Sequence, residues 1–125
     1  MKEIITKTEH IKVCDSGIVL CTVNQSAYME LEDGIENLNA IRKISKGVRV
    51  PVLVDIISSK GASKKCREYY ASDEAAEIQT ACALLIKSPL SKLIGNFFID
   101  LNKTVFPTKL FTDKTEAINW LKTQL

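Results

Sequence analysis

Val48-Arg49-Val50-Pro51-Val52-Leu53-Val54-Asp55-Ile56-Ile57 carries apolar side chains at odd and even positions alike, and from Val50 onward only Pro51 and Asp55 interrupt them. A strand with one solvated face alternates apolar and polar residues, so this run predicts a central strand covered on both faces, in a sheet with helices packed on it.

On the amino-terminal side, Leu31, Ile35, Leu38, Ile41 and Ile44 recur at helical spacing. Glu30, Glu32, Asp33 and Glu36 lie near the start and Arg42, Lys43 and Lys46 near the end, as the helix dipole favours, and Gly47 closes the helix. Earlier still, residues 3–8, 10–14 and 18–23 are rich in Ile, Val and Thr, and Asp15-Ser16-Gly17 supplies a turn. An antiparallel meander is therefore expected to open the fold.

On the carboxyl-terminal side, Ser63 is placed to cap a helix reaching about Ala71, and Ser72 or Asp73 a second reaching about Gln79. Residues 81–86 form another buried-strand pattern. Ser88-Pro89 reads as a cap and first helical residue for a helix whose stripe is Leu90, Leu93, Ile94, Phe97, Phe98 and Leu101. Residues 108–111 read as a short strand, and Asp113 with Glu116 as a capping box for a last helix bearing Ala117, Ile118 and Leu121. The order β-β-β-α-β-α-α-β-α-β-α predicts an α/β fold: a mixed sheet with an antiparallel amino-terminal meander, parallel βα units and helices packed on the sheet.

With 125 residues, 46% of them hydrophobic, and scattered rather than clustered Pro and Gly, residues 1–125 read as a single domain with one core. No stretch of about 18 apolar residues is present and the amino terminus lacks a secretory apolar block, so a cytoplasmic protein without a membrane span is expected. Cys14, Cys21, Cys66 and Cys82 show neither a Cys-x-x-Cys pair nor zinc spacing, and His10 has no adjacent ligand set, so reduced thiols, no metal and no cofactor are expected. Seventeen basic and fifteen acidic residues, net +2, are interspersed, which implies no nucleic-acid partner.

This order, with Pro51-Val52-Leu53-Val54-Asp55 as the central strand and Phe111-Thr112-Asp113 leading into Ala117-Ile118-Asn119-Trp120-Leu121, resembles the SpoIIAA-like, or STAS-type, superfamily, and especially its small bacterial members of unknown role. In that superfamily's anti-sigma-factor antagonists, a strand ending in Asp leads to a Ser-Ser-Gly or Ser-Thr-Gly whose serine a partner kinase phosphorylates. Asp55 matches the aspartate, whereas Lys60 separates Ser59 from Gly61, so the resemblance carries over the location and not the chemistry. It implies a regulatory or protein-interaction module without catalysis, docking a protein partner or a second copy of itself as a homodimer. Phosphorylation at Ser58, Ser59 or Ser63 is the switch-like variant of that reading.

Read from the residues themselves, Ser58, Ser59, Lys60, Gly61 and Ser63 lie between a parallel strand and a helix start, where open α/β sheets bind ligands and anions. The competing reading is an ordinary loop with Ser63 as cap. Asp55 is either a carboxylate perturbed by burial or a cap for nearby N–H groups. Cys66, flanked by Lys65 and Arg67, is either a reactive thiol or a packing residue. Glu30, Glu32, Asp33 and Glu36 read as a solvated face, and Tyr69, Tyr70 and Trp120 as packing. Phe97 and Phe98 widen their stripe enough to line, with the Ser59-Lys60-Gly61 loop, a pocket for a small apolar or anionic ligand of lipid-like character, against core packing as the other account.

Overall fold

The structure is a computed structural model and describes residues 3–88 and 104–125. The expected helix from Ser88-Pro89 to Leu101, with Phe97 and Phe98, lies outside the described residues beyond Ser88. The chain opens with β1 (Glu3–Ile5), β2 (Glu9–Val13) and β3 (Val19–Val23), an antiparallel meander. Its second turn closes with the Cys14 N–H donating to the Ile18 carbonyl at 3.0 Å, and Gly17 takes φ +90°, a conformation that costs glycine little. Then follow β4 (Tyr28–Met29), α1 (Leu31–Ile44), β5 (Val50–Asp55), β6 (Gly61–Ala62), α2 (Lys64–Tyr70), α3 (Asp73–Ala76), β7 (Gln79–Leu85), β8 (Thr108–Phe111) and α4 (Lys114–Lys122).

Among the described residues the main sheet runs β1-β2-β3-β5-β7-β8, with β3–β5, β5–β7 and β7–β8 parallel. β5 is central, and a proline inside it needs an explanation, because Pro51 has no N–H for the ladder. The register supplies one: Val50 pairs with Gln79 but Pro51 pairs with Ala81, so Thr80 is passed over at an irregularity beside the proline.

Successive β5 residues enter two cores. Val52 packs with Val19, Cys21, Leu38, Ile41 and Cys82 beneath α1 and α2. Leu53 packs with Ile18, Ala81, Ala83, Ala117 and Leu121 beneath α4. Each such side chain contributes about 1.5–3 kcal/mol when fully buried. On the α4 side, β1 and β2 present Glu3 and Lys12 to solvent, and Glu3 Oε1 lies 2.5 Å from Nε2 of the half-buried His10. Antiparallel strands accept one wet face, which the parallel strands do not.

Three helix starts match the sequence. Ser63 accepts from the Cys66 N–H, Ser72 from the Ala75 N–H and Asp113 from the Glu116 N–H. Three details differ. The acidic start of α1 is not uniformly solvated, because Asp33 is 3% exposed and accepts the Glu30 N–H at 2.9 Å, while Ile35, assigned to the apolar stripe, is 39% exposed. The helix is turned so that Gly34 and Asn37 face inward. α3 stops at Ala76 because Gln79 already belongs to β7, and β4 and β6 form a two-strand parallel pair not visible in the pattern.

Gly34 sets how closely α1 and α2 approach, since a Cβ there would stand 3.0 Å from Cys66 Sγ and 3.6 Å from Tyr69 and Tyr70 carbons. Gly34→Val is expected to lower unfolding stability by about 1–3 kcal/mol through overpacking. Adding Cys66→Ala should recover part of the loss in a denaturant double-mutant cycle; strictly additive effects would mean that the contact is not the cause.

Candidate functional site

The site begins with a glutamate in an apolar row. Along β2 the side chains of Glu9, Ile11 and Val13 share one face by the two-residue period of a strand, and that face lies under α1. Ile11 is wholly buried there and Glu9 is only 2% exposed. The turn before β2 holds Glu9 in place: the Thr6 N–H donates to the Glu9 carbonyl at 2.9 Å, and the Glu9 N–H donates to Thr6 Oγ1 at 3.0 Å.

Asn37, 1% exposed on α1, ties this turn to the helices. Thr6 Oγ1 donates to Asn37 Oδ1 at 2.5 Å, Asn37 Nδ2 donates to Thr8 Oγ1 at 2.9 Å, and Tyr70 of α2 takes a longer bond from the same amide at 3.3 Å. The Tyr70 hydroxyl in turn donates to Met29 Sδ at 3.6 Å. A buried amide with its hydrogen-bonding capacity used in this way fixes one arrangement of sheet and helices.

Between these groups lies a cavity of about 60 Å³. Among the described residues its lining mixes apolar Met29, Leu38, Ile41, Val52, Leu84 and Phe106 with polar Glu9, Asn37, Arg67, Tyr70, Gln79 and Thr108. Cys21 and Cys82 face it from the sheet floor. A larger concavity, about 250 Å³, lies between Arg42, Ser45, Gly47, Val48, Glu77 and Ile78, but Arg42, Gly47, Val48 and Glu77 are exposed and none of the six is a buried polar residue. The first cavity therefore has the stronger claim.

Burial dominates the electrostatics. It pushes the Glu9 carboxyl from the usual value of 4.5 up to about 7, with a Cys21 hydrogen bond acting in the opposite direction. The Cys82 and Cys66 thiols are pushed up to about 12, chiefly by burial, and the Cys21 thiol and Tyr70 phenol also rise well above their ordinary values for that reason, with the Glu9 charge adding to each. Near neutral pH these thiols and the phenol keep their protons, and Glu9 is the member of the group that titrates. Cys66, buried and protonated, takes the packing role rather than that of a reactive thiol.

Of the described residues selected from sequence as a binding place, Asp55, Ser58, Ser59, Lys60, Gly61 and Ser63 do not line this cavity, whereas Phe97 and Phe98 lie outside the described residues. Asp55 sits half-buried at the end of β5, where Oδ1 accepts the Ile57 N–H at 3.0 Å. Ser58 and Lys60 are exposed, and Ser59 is 7% exposed. Ser59 Oγ donates to the Ala27 carbonyl at 3.2 Å and accepts the Gly61 N–H at 2.9 Å, and Gly61 adopts φ +118°. Ser63 caps α2. These residues come together at the carboxyl end of β5, where β6 pairs with β4. Trp120 packs on Phe111 at 5.6 Å between ring centroids. Among the described residues no His, Cys, Asp and Glu cluster could hold a metal ion, and no helix is long and apolar enough to cross a membrane.

With sheet, helices and cavity in place, comparison with known proteins identifies the fold. Residues 12–125 match the family described as Domain of unknown function (DUF7793). The chain belongs to this family. The structure is similar to an uncharacterized protein of the DUF3478 family with a SpoIIAA-like fold from Shewanella loihica PV-4, at TM-score 0.64 and 16% identity, over 94% of this chain and 98% of that one. That likeness establishes the SpoIIAA-like fold that the element order resembles. A protein of unknown function from Arthrobacter sp. FB24 is 23% identical over 97% of this chain and 98% of its own, with a TM-score of 0.37 that carries no weight for the fold. No curated protein matches the chain.

Glu9 gives the site a measurable signature. From about pH 4.5 to about pH 7 the folded chain holds a proton that the unfolded chain has released, so stability falls with rising pH across that window and levels above it. The difference amounts to about 3 kcal/mol. Glu9→Gln should flatten this part of the denaturation profile and leave the variant more stable than the parent at about pH 8. Parallel profiles for the two proteins would show that Glu9 is not a buried, proton-holding carboxyl.

Proposed function

We propose that this DUF7793 domain is a non-enzymatic regulatory module that works by taking a small ligand into the cavity beneath α1 and α2. One observation carries the reading: a glutamate only 2% exposed lines a cavity whose other lining residues are mostly apolar. Burying an ionisable group costs several kcal/mol in stability, and packing alone would favour an apolar residue at position 9. The protonated thiols and phenol around Glu9 offer no nucleophile at neutral pH, which suits binding better than covalent chemistry.

Cys82→Met extends a side chain into the cavity from the sheet floor without adding charge. Small molecules retained by the natural protein in native mass spectrometry, and their stabilising effect on thermal unfolding, should be lost in this variant while its circular dichroism stays unchanged. Equal retention by both proteins would remove the cavity as the binding place.

A second reading, docking of a second copy or another protein partner at the carboxyl end of β5, is favoured by the exposure of Tyr28 in β4 and of Ile57 just after β5, 51% and 40%. Ser58, exposed beside Lys60, is the serine at which a phosphate would leave the Ser59 and Ser63 hydrogen bonds intact. Sedimentation equilibrium distinguishes self-docking: the natural chain should weigh more than a monomer and Tyr28→Ser should return it to one, whereas a natural chain that stays monomeric would reject a homodimer through this face.

A further inference from the structure

One polar side chain of the cavity lining makes no hydrogen bond among the described residues, and an irregularity in the sheet is what turns it inward. Along β7, Ala81, Ala83 and Leu85 belong to the core beneath α4, and by the two-residue period Gln79 would join them. Thr80, passed over between the Val50–Gln79 and Pro51–Ala81 pairs, reverses that parity. Gln79 therefore shares the face of its partner Val50 and of Val52 and Val54, where it lines the cavity at 4% exposure.

The other polar groups of the lining are engaged. Asn37 is bonded to Thr6, Thr8 and Tyr70, and the Tyr70 hydroxyl to Met29 Sδ. The Thr108 hydroxyl lies 3.0 Å from Thr104 Oγ1 and 3.2 Å from the Phe106 carbonyl. Arg67 and Thr104 have partners as well, and Glu9, three strands from β7 in the sheet order, has the Cys21 thiol. The Gln79 backbone carbonyl accepts from Arg49 Nη2 at 3.1 Å, whereas its carboxamide, with two N–H donors and an acceptor oxygen, has no such partner. Buried amides are nearly always paired with protein, water or ligand, so this one is offered to whatever occupies the cavity. We infer that Gln79 selects the ligand, and that the ligand is a small neutral carboxamide whose amide edge pairs with that of Gln79 and whose short alkyl group lies along Val52 and Cys82. This rests on the ligand-binding reading above and names the class of ligand and the residue that recognises it.

The edge of the group decides the class. A carboxamide holds a C=O and an N–H side by side, and a second primary amide meets both at once. An ammonium has donors only and a carboxylate acceptors only, and either would give up its hydration in the interior for a single bond to a neutral group. A carboxylic acid carries the matching edge only when protonated, and near neutral pH almost all of it is ionised. Size and surroundings set the alkyl part. A volume of about 60 Å³ admits about four to six water-sized groups, and the next residues on the face of Gln79 are the register partners Val52 and Cys82, hydrocarbon and a thiol.

Isothermal titration calorimetry with isobutyramide, isobutyrate and isobutanol at neutral pH tests this, together with the side-chain N–H resonances of Gln79 in a 15N-labelled chain. Isobutyramide should bind the natural chain about tenfold or more tighter than the other two and should shift those resonances. Gln79→Met keeps the length of the side chain and removes the amide, so it should lose the preference for isobutyramide while still admitting isobutanol. If isobutyrate or isobutanol binds the natural chain as well as isobutyramide, if the Gln79 resonances stay in place on binding, or if Gln79→Met keeps the preference, the carboxamide class and the role of Gln79 are wrong while the cavity remains a ligand site. If none of the three binds and xenon also fails to enter, the ligand-binding reading itself falls.

Discussion

Val52 and Leu53 are neighbours in sequence, yet they seal two different cores, and both cores depend on β5 lying between β3 and β7. The constraint is backbone satisfaction. A strand covered on both faces has no water to pair its N–H and C=O groups, so they need ladder partners on both sides, and the bend at Pro51 has to be absorbed by the Val50–Gln79 register irregularity. With β5 fixed in the middle, α4 must lie on one side and α1 to α3 on the other. The space between α1, α2 and the sheet is then set by what those helices can pack.

That packing is unequal. Beneath α4 the sheet offers Ala81 and Ala83, small residues that let Ala117 and Leu121 settle close, and the core there is apolar throughout. Beneath α1 and α2 the same sheet offers Cys21, Cys82 and Glu9, while the helices offer Asn37, Tyr70 and Arg67. Long polar side chains anchored by their own hydrogen bonds cannot collapse to fill every gap, because filling a gap would break a bond that has no substitute in the interior. The cavity follows from the polar network as much as from the shape of the helices. Gly34 has a related effect: it draws α2 toward α1 through Cys66, which fixes the position of Tyr70 over the cavity.

Sequence reading recovers what periodicity and capping encode. The double-faced apolar run became β5, and Ser63, Ser72 and Asp113 became caps, since each signal is local and needs no knowledge of the rest of the chain. The buried polar groups carried weaker signals. Glu9 falls between two strand patterns, where a charged residue looks like part of the turn, and only its parity with Ile11 and Val13 points inward. Asp33 sits among acidic residues that the helix dipole already accounts for, and Asn37 is one polar residue within an amphipathic helix. Their burial is decided by how α1 is rotated about its axis, which depends on the close approach at Gly34 and hence on a helix 30 or so residues later in the chain. β4 and β6, two residues each, are fixed by the Ser59 hydroxyl bridging Ala27 and Gly61, a contact with no period at all.

The carboxyl at position 9 is where the demands of the fold and those of a ligand site diverge. Its neighbours Ile11 and Val13 show what the strand face would otherwise contain, and an apolar residue at position 9 would close the cavity and remove a pH-dependent loss of stability. Charge is costly in that interior, so the Glu9 carboxyl holds its proton up to about pH 7 and gives it up above that. A domain built in this way is least firmly held on the face that a ligand would fill, so occupancy alone would tighten the packing of α1 and α2 on the sheet.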